Sequence, residues 1–340
     1  MECEDGWARQ LLLNEASFLV SRSDYQEAWE VADEAARTWR QLLGDDHEHV
    51  IAMDQVRALT LRWQNRYEEA YELQVELVAR CRRVLGERNE TTQRALSVLA
   101  ILLRLRGDFY QARELDRTTY ETTLLDFGTH DPGTLQAAHN HTVGLRLAGD
   151  FKQALEIDSE TYDRRLEVLG EDHMSTLGSR YQMALDHQEL GDATDARDLL
   201  TDLREFALQR LGPEHDMTIR ATRELSVALR RLGDHDGALE LSSMALKILR
   251  EKAGEDSLET VRASLNHATD LRQTGDLTKA VELGQATMQR CRALLGEEHP
   301  HTYATATNLA VTLRLLNRVA EAHELDHAAK STTPRRWPSC

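Results

Sequence analysis

The chain has 340 residues, with 41 Lys and Arg against 58 Asp and Glu, for a formal charge of −17. That balance argues against general binding to nucleic acid or to an anionic lipid surface. At 41% apolar and 29% charged the composition excludes disorder, and 5 prolines with 5% aromatics suit an all-helical protein.

Residues 1–8 precede the regular pattern and are read as an N-terminal arm. Their start, Met1-Glu2-Cys3-Glu4-Asp5, is acidic and lacks the basic-then-apolar order of a signal peptide. No run of about 18 uncharged apolar residues occurs, so no membrane span is expected. The cysteines Cys3, Cys81, Cys291 and Cys340 are read as free thiols of a reducing cytoplasm.

From residue 9 to residue 330 the chain repeats. Glycines stand at Gly44, Gly86, Gly128, Gly170, Gly212, Gly254 and Gly296, each 42 residues after the last. A Gly-Asp step recurs at Gly107-Asp108, Gly149-Asp150, Gly191-Asp192, Gly233-Asp234 and Gly275-Asp276. Five residues beyond each step's first position, or its weaker equivalents at Ser23, Asn65 and Asn317, comes an alanine: Ala28, Ala70, Ala112, Ala154, Ala196, Ala238, Ala280 and Ala322. The array is therefore eight copies of one helical unit, the last cut short before its closing loop.

Residues 131–170 show how one copy is built. Asp131 before Pro132 reads as N-cap then first helical residue; His47, Asn89, His173, His215, Ser257 and His299 are the equivalents. Helix A then runs to about Ala148. It carries a leucine column (Leu103, Leu145, Leu229, Leu271, Leu313) and, three residues earlier, a small-residue column (Ala16, Ala58, Ala100, Thr142, Ala184, Ser226, Ala268, Ala310) that lets a partner helix approach closely. Gly149-Asp150 ends helix A. Helix B follows with its alanine and closes on Leu-Gly and a polar loop.

The small-residue column, the Gly-Asp step and the alanine five residues on resemble tetratricopeptide repeats. The 42-residue period and loops such as Leu295-Gly296-Glu297-Glu298-His299-Pro300 are similar to the kinesin-light-chain type. Such arrays also occur in actinobacterial proteins, behind STAND-type (NB-ARC) ATPase modules or in FxSxx-COOH peptide-modification systems. The resemblance implies an all-α, right-handed superhelical solenoid of about eight hairpins, with helix A lining a groove that holds a peptide or a partner helix. No G-x-x-x-x-G-K-[ST] phosphate loop is present, so within such a protein this chain would be the repeat part alone.

The family's ligand-facing row on helix A follows i, i+3, i+7, i+10 spacing. Carried over, it gives Arg220, Arg223, Val227 and Arg230 with Arg231 adjoining, and in the next unit Arg262, Leu265, Thr269 and Arg272. Its last position is basic at Arg62, Arg104, Arg146, Arg230, Arg272 and Arg314, and Gln188 breaks it. Asparagines recur nearby at Asn14, Asn140, Asn266 and Asn308, where the family's asparagines hold a peptide backbone; Val56, Val98, Gln182 and Glu224 interrupt that ladder. Two readings stand. In one, the arginines, four of them on the helix of Arg220–Arg231 with few local acids, line a groove for an acidic or C-terminal carboxylate-bearing segment. In the other, Arg104/Asp108, Arg146/Asp150, Arg230/Asp234 and Arg272/Asp276 are ion pairs at helical spacing that brace the turn. The fifth unit departs most, with Tyr181 at a row position, His187 in the leucine column and Gln188 for arginine, which marks a ligand pocket or drift. Trp63 reads as an exposed anchor, Trp29 and Trp39 as packed.

His47, His173, His215 and His299 lie one or more repeats apart and cannot share an ion, so no metal site is expected, and no cofactor. No catalytic constellation is found, and no enzyme is expected. The tail, 331–340, leaves the pattern at Pro334 and Pro338. The last unit lacks a polar capping helix, which points to partner contact or self-association there. The expected function is a peptide- or protein-binding scaffold for an acidic segment; the alternative is a sensor or assembly array of a signalling ATPase or peptide-modification pathway, read through its ends.

Overall fold

Glycine decides where seven of the B helices stop. The computed structural model describes residues 2–22, 24–64, 66–297 and 299–331. At Gly44, Gly86, Gly128, Gly170, Gly212, Gly254 and Gly296 the backbone has φ between 78° and 89°, which an L side chain resists. At the A-to-B turn, Asn317 takes φ 61° where five other units have Gly, a substitution asparagine tolerates because its short amide bonds locally.

The described residues form sixteen α-helices. The first compact unit, residues 1–168, holds α1 (Glu2–Ser21), α2 (Tyr25–Leu43), α3 (Glu48–Trp63), α4 (Tyr67–Leu85), α5 (Glu90–Arg106), α6 (Phe109–Phe127), α7 (Pro132–Leu147) and nearly all of α8 (Phe151–Leu169). The second, residues 169–340, holds α9 (Met174–Leu190), α10 (Ala193–Leu211), α11 (Asp216–Arg231), α12 (His235–Ala253), α13 (Leu258–Gln273), α14 (Leu277–Leu295), α15 (Pro300–Leu315) and α16 (Val319–Ser331). Odd-numbered helices are the A helices and even-numbered ones the B helices. Residues 2–8, expected as an arm, are instead the first turns of α1. Of the tail, Ser331 ends α16, and the rest lies outside the described residues.

Each A helix after the first starts on the predicted cap. The Nδ1 atoms of His47, His173, His215 and His299 accept from the backbone N–H two residues on at 3.1–3.2 Å. Asn89 accepts through oxygen from the N–H two residues on at 2.9 Å, and Asp131 and Ser257 from the N–H three residues on at 2.8 and 3.1 Å. Each cap satisfies a donor that the first helical turn leaves orphaned.

Packing follows the columns. The eight helix B alanines, from Ala28 to Ala322, are buried, and so is the whole small-residue column from Ala16 to Ala310. Their lack of bulk sets the spacing between helices, because the contact distance depends on the side chains at the crossing. In the first unit Leu77, Val78, Cys81 and Leu96 cluster between α4 and α5; in the second, Leu200, Leu203, Ala221 and Leu225 cluster between α10 and α11. Cys81 and Cys291 are buried free thiols, and burial pushes both thiol pKa values up. No described helix is long and apolar enough to cross a membrane.

Candidate functional site

With its core columns buried, helix A leaves a narrow accessible stripe. In α3 that stripe is Ala52, Gln55, Leu59 and Arg62; in α5 it is Arg94, Ser97, Ile101 and Arg104; in α7 it is Gln136, His139, Val143 and Arg146. In α13 it is Arg262, Leu265, Thr269 and Arg272. These positions share the i, i+3, i+7, i+10 spacing of the row expected from sequence. Its middle position is aliphatic, Leu59, Ile101 and Val143 in the first unit and Leu185 and Val227 in the second, half-buried in every case.

Two cavities open on the stripe in the first unit. One of about 300 Å³ lies where α5, α6 and α7 meet, lined by Arg94, Ser97, Thr123, Phe127 and Gln136 among others. A second of about 370 Å³ lies across α1, α3 and α5, lined by Leu13, His49, Ala52, Gln55 and again Arg94. Arg94 borders both. Its guanidinium reaches Glu90 one turn back at 2.5 Å with both side chains largely exposed, so the pairing costs an incoming carboxylate little to break. Gln55, Arg94, Ser97 and Gln136 were not singled out from sequence, although extending the row's spacing into the second, third and fourth repeats names all four.

The arginines at the end of the row differ from the turn-bracing pairs expected. Arg104 pairs with Asp116 rather than Asp108, and Arg146 with Asp158, at 2.6 Å, rather than Asp150. Arg314 pairs with Asp326. In each case the partner is twelve residues on, on helix B of the same hairpin, where helix B passes directly beneath the guanidinium. Asp116 is 1% exposed and Asp158 fully buried. Burial lifts the Asp116 pKa to about 7 against the pull of Arg104.

Where helix B carries no aspartate at that position, the arginine turns elsewhere. Arg230, above Ser242, reaches Asp270 of the next A helix at 2.5 Å. Arg272, above Gly284, donates to the Asn308 carbonyl at 3.2 Å and to its side-chain oxygen at 3.4 Å. Arg62, above Gln74, lies over the Trp63 ring at 4.7 Å, and burial lowers its pKa. Among the described residues no carboxylate pairs with Arg62.

The expected four-cation cluster on α11 divides in two. Arg223 is buried and bonds Glu224 at 3.2 Å and Glu259 at 2.5 Å. Burial works against its charge, but Glu224, Tyr181 and Glu259 outweigh that and hold its pKa above the ordinary value. Arg231 donates to the Gln188 carbonyl and approaches Glu189 at 3.6 Å. Arg230 is held by Asp270. Arg220 and Arg231 are both exposed, and Arg220 alone of the four makes no ion pair or hydrogen bond among the described residues. To the few acids of α11 itself, Glu224 among them, packing thus adds Glu189 from α9 and Glu259 and Asp270 from α13.

Tyr181 is 8% exposed and hydrogen-bonded to Arg223; burial pushes its pKa up to about 12. With Gln188, whose amide donates to the Glu224 carbonyl at 3.1 Å, it ties α9 to α11. Asn140 is buried and accepts from Gln136 at 3.2 Å, while Asn266 is half-buried and Asn308 receives Arg272. Arg262 is half-exposed, 3.4 Å from Glu259. Trp63 is 49% exposed, Trp39 is buried, and Trp29 lies under the guanidinium groups of Arg57 and Arg66 at 5.2 and 5.0 Å.

Comparison with known proteins agrees with this geometry. A tetratricopeptide repeat family model matches residues 50–124, 175–251 and 259–326, and a second matches 11–49. The chain belongs to the tetratricopeptide repeat family. No curated protein matches it. Among solved structures, the array is similar to the putative kinesin light chain repeats of Podosopora anserina, at 22% identity over 60% of this chain and 97% of that one, TM-score 0.50. It is also similar to a STAND signal-transduction ATPase with a tetratricopeptide repeat sensor from Pyrococcus horikoshii, at 14% identity over 95% of this chain and 52% of that one, TM-score 0.56. A Rap protein complexed with Competence and Sporulation Factor shares 11% identity over 96% and 97%, with TM-score 0.62. These likenesses establish a shared fold, one generally built for protein interaction.

Proposed function

We propose that the array is a scaffold that binds an extended peptide segment of a partner along the accessible stripe of its A helices. The observation that carries this reading is the pair of cavities on α1, α3, α5, α6 and α7, joined at Arg94, with Leu13, Ile51 and Phe127 among their apolar lining. Apolar side chains of the segment would enter the cavities. A carboxylate would meet the cations that the fold leaves weakly committed: Arg62 and Arg94 in the first unit, Arg220 and Arg262 in the second. The Rap complex, a relative by fold with a bound factor, supports a ligand-holding use of this architecture.

Arg223 and Arg230 are unsuitable for a test, since reversing either charge would strand Glu259 or Asp270. Arg62→Glu/Arg94→Glu and Arg220→Glu/Arg262→Glu alter accessible cations instead. A displayed library of random linear peptides, selected on the intact chain, should yield acidic sequences that the two double variants bind at least about tenfold more weakly. Binding should also weaken as salt rises, because such pairs are screened beyond about 8–10 Å. Selection of apolar, salt-insensitive peptides with equal affinity for the variants would remove the acidic-ligand part of the reading.

A second reading rests on α1. Leu11 and Phe18 are 66% and 58% exposed, yet their equivalents Met53, Ala95 and Ala221, and Thr60, Leu102 and Ala228, are buried in the other repeats. This face is built for stacking, and with Trp7 it would seat a partner's helical hairpin, as an assembly array read through its ends requires. Leu11→Glu/Phe18→Glu should abolish any association seen by sedimentation; an assembly unchanged by it would locate the contact elsewhere.

A further inference from the structure

In the fifth repeat the turn between α9 and α10 carries a combination of side chains absent from the other seven. Seven units have leucine in the column of His187: Leu19, Leu61, Leu103, Leu145, Leu229, Leu271 and Leu313. Here an imidazole replaces it, and the same unit places Asp195 on the first turn of α10. The third group is Asp192 of the turn itself. In three other units the equivalent carboxylate accepts from the start of helix B: Asp150 from the Gln153 N–H at 3.4 Å, Asp234 from the Gly237 N–H at 3.0 Å and Asp276 from the Lys279 N–H at 3.3 Å, whereas Asp24 and Asp108 make no such bond. Asp192 makes no such cap; it turns toward the ring.

The distances are wrong for hydrogen bonds and right for a shared ion. His187 Nδ1 lies 3.5 Å from Asp192 Oδ2 and 3.9 Å from Asp195 Oδ2, beyond the 2.7–3.2 Å of an N–H···O bond. Nδ1 is shielded from solvent and makes no hydrogen bond, which is costly for a polar atom unless something else meets it. The three ligand atoms lie within 4.8 Å of one another. Two atoms bound at about 2.0–2.2 Å to one tetrahedral or octahedral ion sit about 3–4 Å apart. The last carbonyls of α9 add the negative end of a helix dipole, and the two carboxylates offset the positive end of α10. Arg231, which also reaches this end of α9, is engaged by the Gln188 carbonyl and Glu189.

We infer that His187, Asp192 and Asp195 form a binding site for one divalent transition-metal ion of the zinc type, with water completing its shell. One imidazole among the ligands favours zinc, nickel or copper over calcium and magnesium, which prefer oxygen alone. The role is to pin the α9–α10 turn. It is independent of peptide binding and draws on none of the stripe residues that binding would use.

The test is calorimetric titration of the full chain with zinc chloride in a non-chelating buffer, repeated on His187→Leu and Asp195→Asn. His187→Leu installs the residue of seven sister repeats, so its fold is secure, and an unchanged helical melt confirms it. The expected result is one zinc per chain at micromolar affinity, weakened at least about tenfold in both variants, since even loss of a supporting partner costs about that much. Cobalt should give a visible d–d spectrum that His187→Leu abolishes, and calcium should not bind. Absence of saturable zinc binding, zinc retained by His187→Leu as cysteine-held metal would be, or calcium bound as tightly, would each overturn the assignment.

Discussion

Asp116 on α6 and His139 on α7 are driven in opposite directions. Burial lifts Asp116 to about 7 despite Arg104. Burial, reinforced by Arg165, Arg146 and Arg104, lowers His139 to about 4. Above about pH 4 the unfolded chain has lost the Asp116 proton that the folded chain keeps, so this contribution to stability is whole below about pH 4 and is lost as pH rises toward 7. For His139 the unfolded chain takes up a proton near pH 6.5 that the folded chain refuses, so its contribution is whole above about 6.5 and is lost as pH falls toward 4. The two effects oppose each other over one window. Asp116→Asn should therefore make unfolding free energy rise more steeply with pH between about 4 and 6.5 than in the wild type, and His139→Gln should turn the slope downward. Urea unfolding at several pH values reads both slopes; parallel profiles for all three proteins would show that neither group titrates as the packing requires.

At the scale of the helix, α9 and its turn carry three expectations of different sign. Gly178 stands mid-helix on the accessible stripe with nothing within 4 Å of where a Cβ would go. Gly178→Ala should stabilise by about 0.5–1 kcal/mol, since glycine carries the larger entropy of the unfolded chain. Gly191 stands at φ 90°, and Gly191→Ala should cost about 1–2 kcal/mol of backbone strain. Ala196, fully buried in α10, leaves no room, and Ala196→Leu should cost about 1–3 kcal/mol by overpacking. Thermal melts rank the three: the first midpoint rises and the other two fall. A fall for Gly178→Ala would show that the space beside Gly178 is not open as the packing has it.

For the molecule as a whole, the hydrophobic clusters close within one compact unit or the other: those around Trp39, Leu77 and Leu102 in residues 1–168, those around Leu200, Leu246 and Leu309 in 169–340. Repeat arrays gain stability from each hairpin and its nearest neighbours. Residues 169–340 expressed alone should thus be helical and melt cooperatively by circular dichroism. A gradual, non-cooperative melt would show that the second unit depends on the first.

The repeat, the caps, the terminating glycines and the alanine columns were all legible in the sequence, because each is a local constraint that one residue type meets best and that recurs every 42 residues. The accessible stripe was legible too, since helical spacing fixes which side chains share a face. What each arginine grips was decided by tertiary structure. The partners of Arg104 and Arg146 lie twelve residues on, Glu259 lies thirty-six beyond Arg223 and Asp270 forty beyond Arg230, distances that local helical spacing does not reach. The same holds at His187, which meets Asp192 and Asp195 across a turn. Buried charge must find a counter-charge in space, and packing, not sequence separation, settles which one is near.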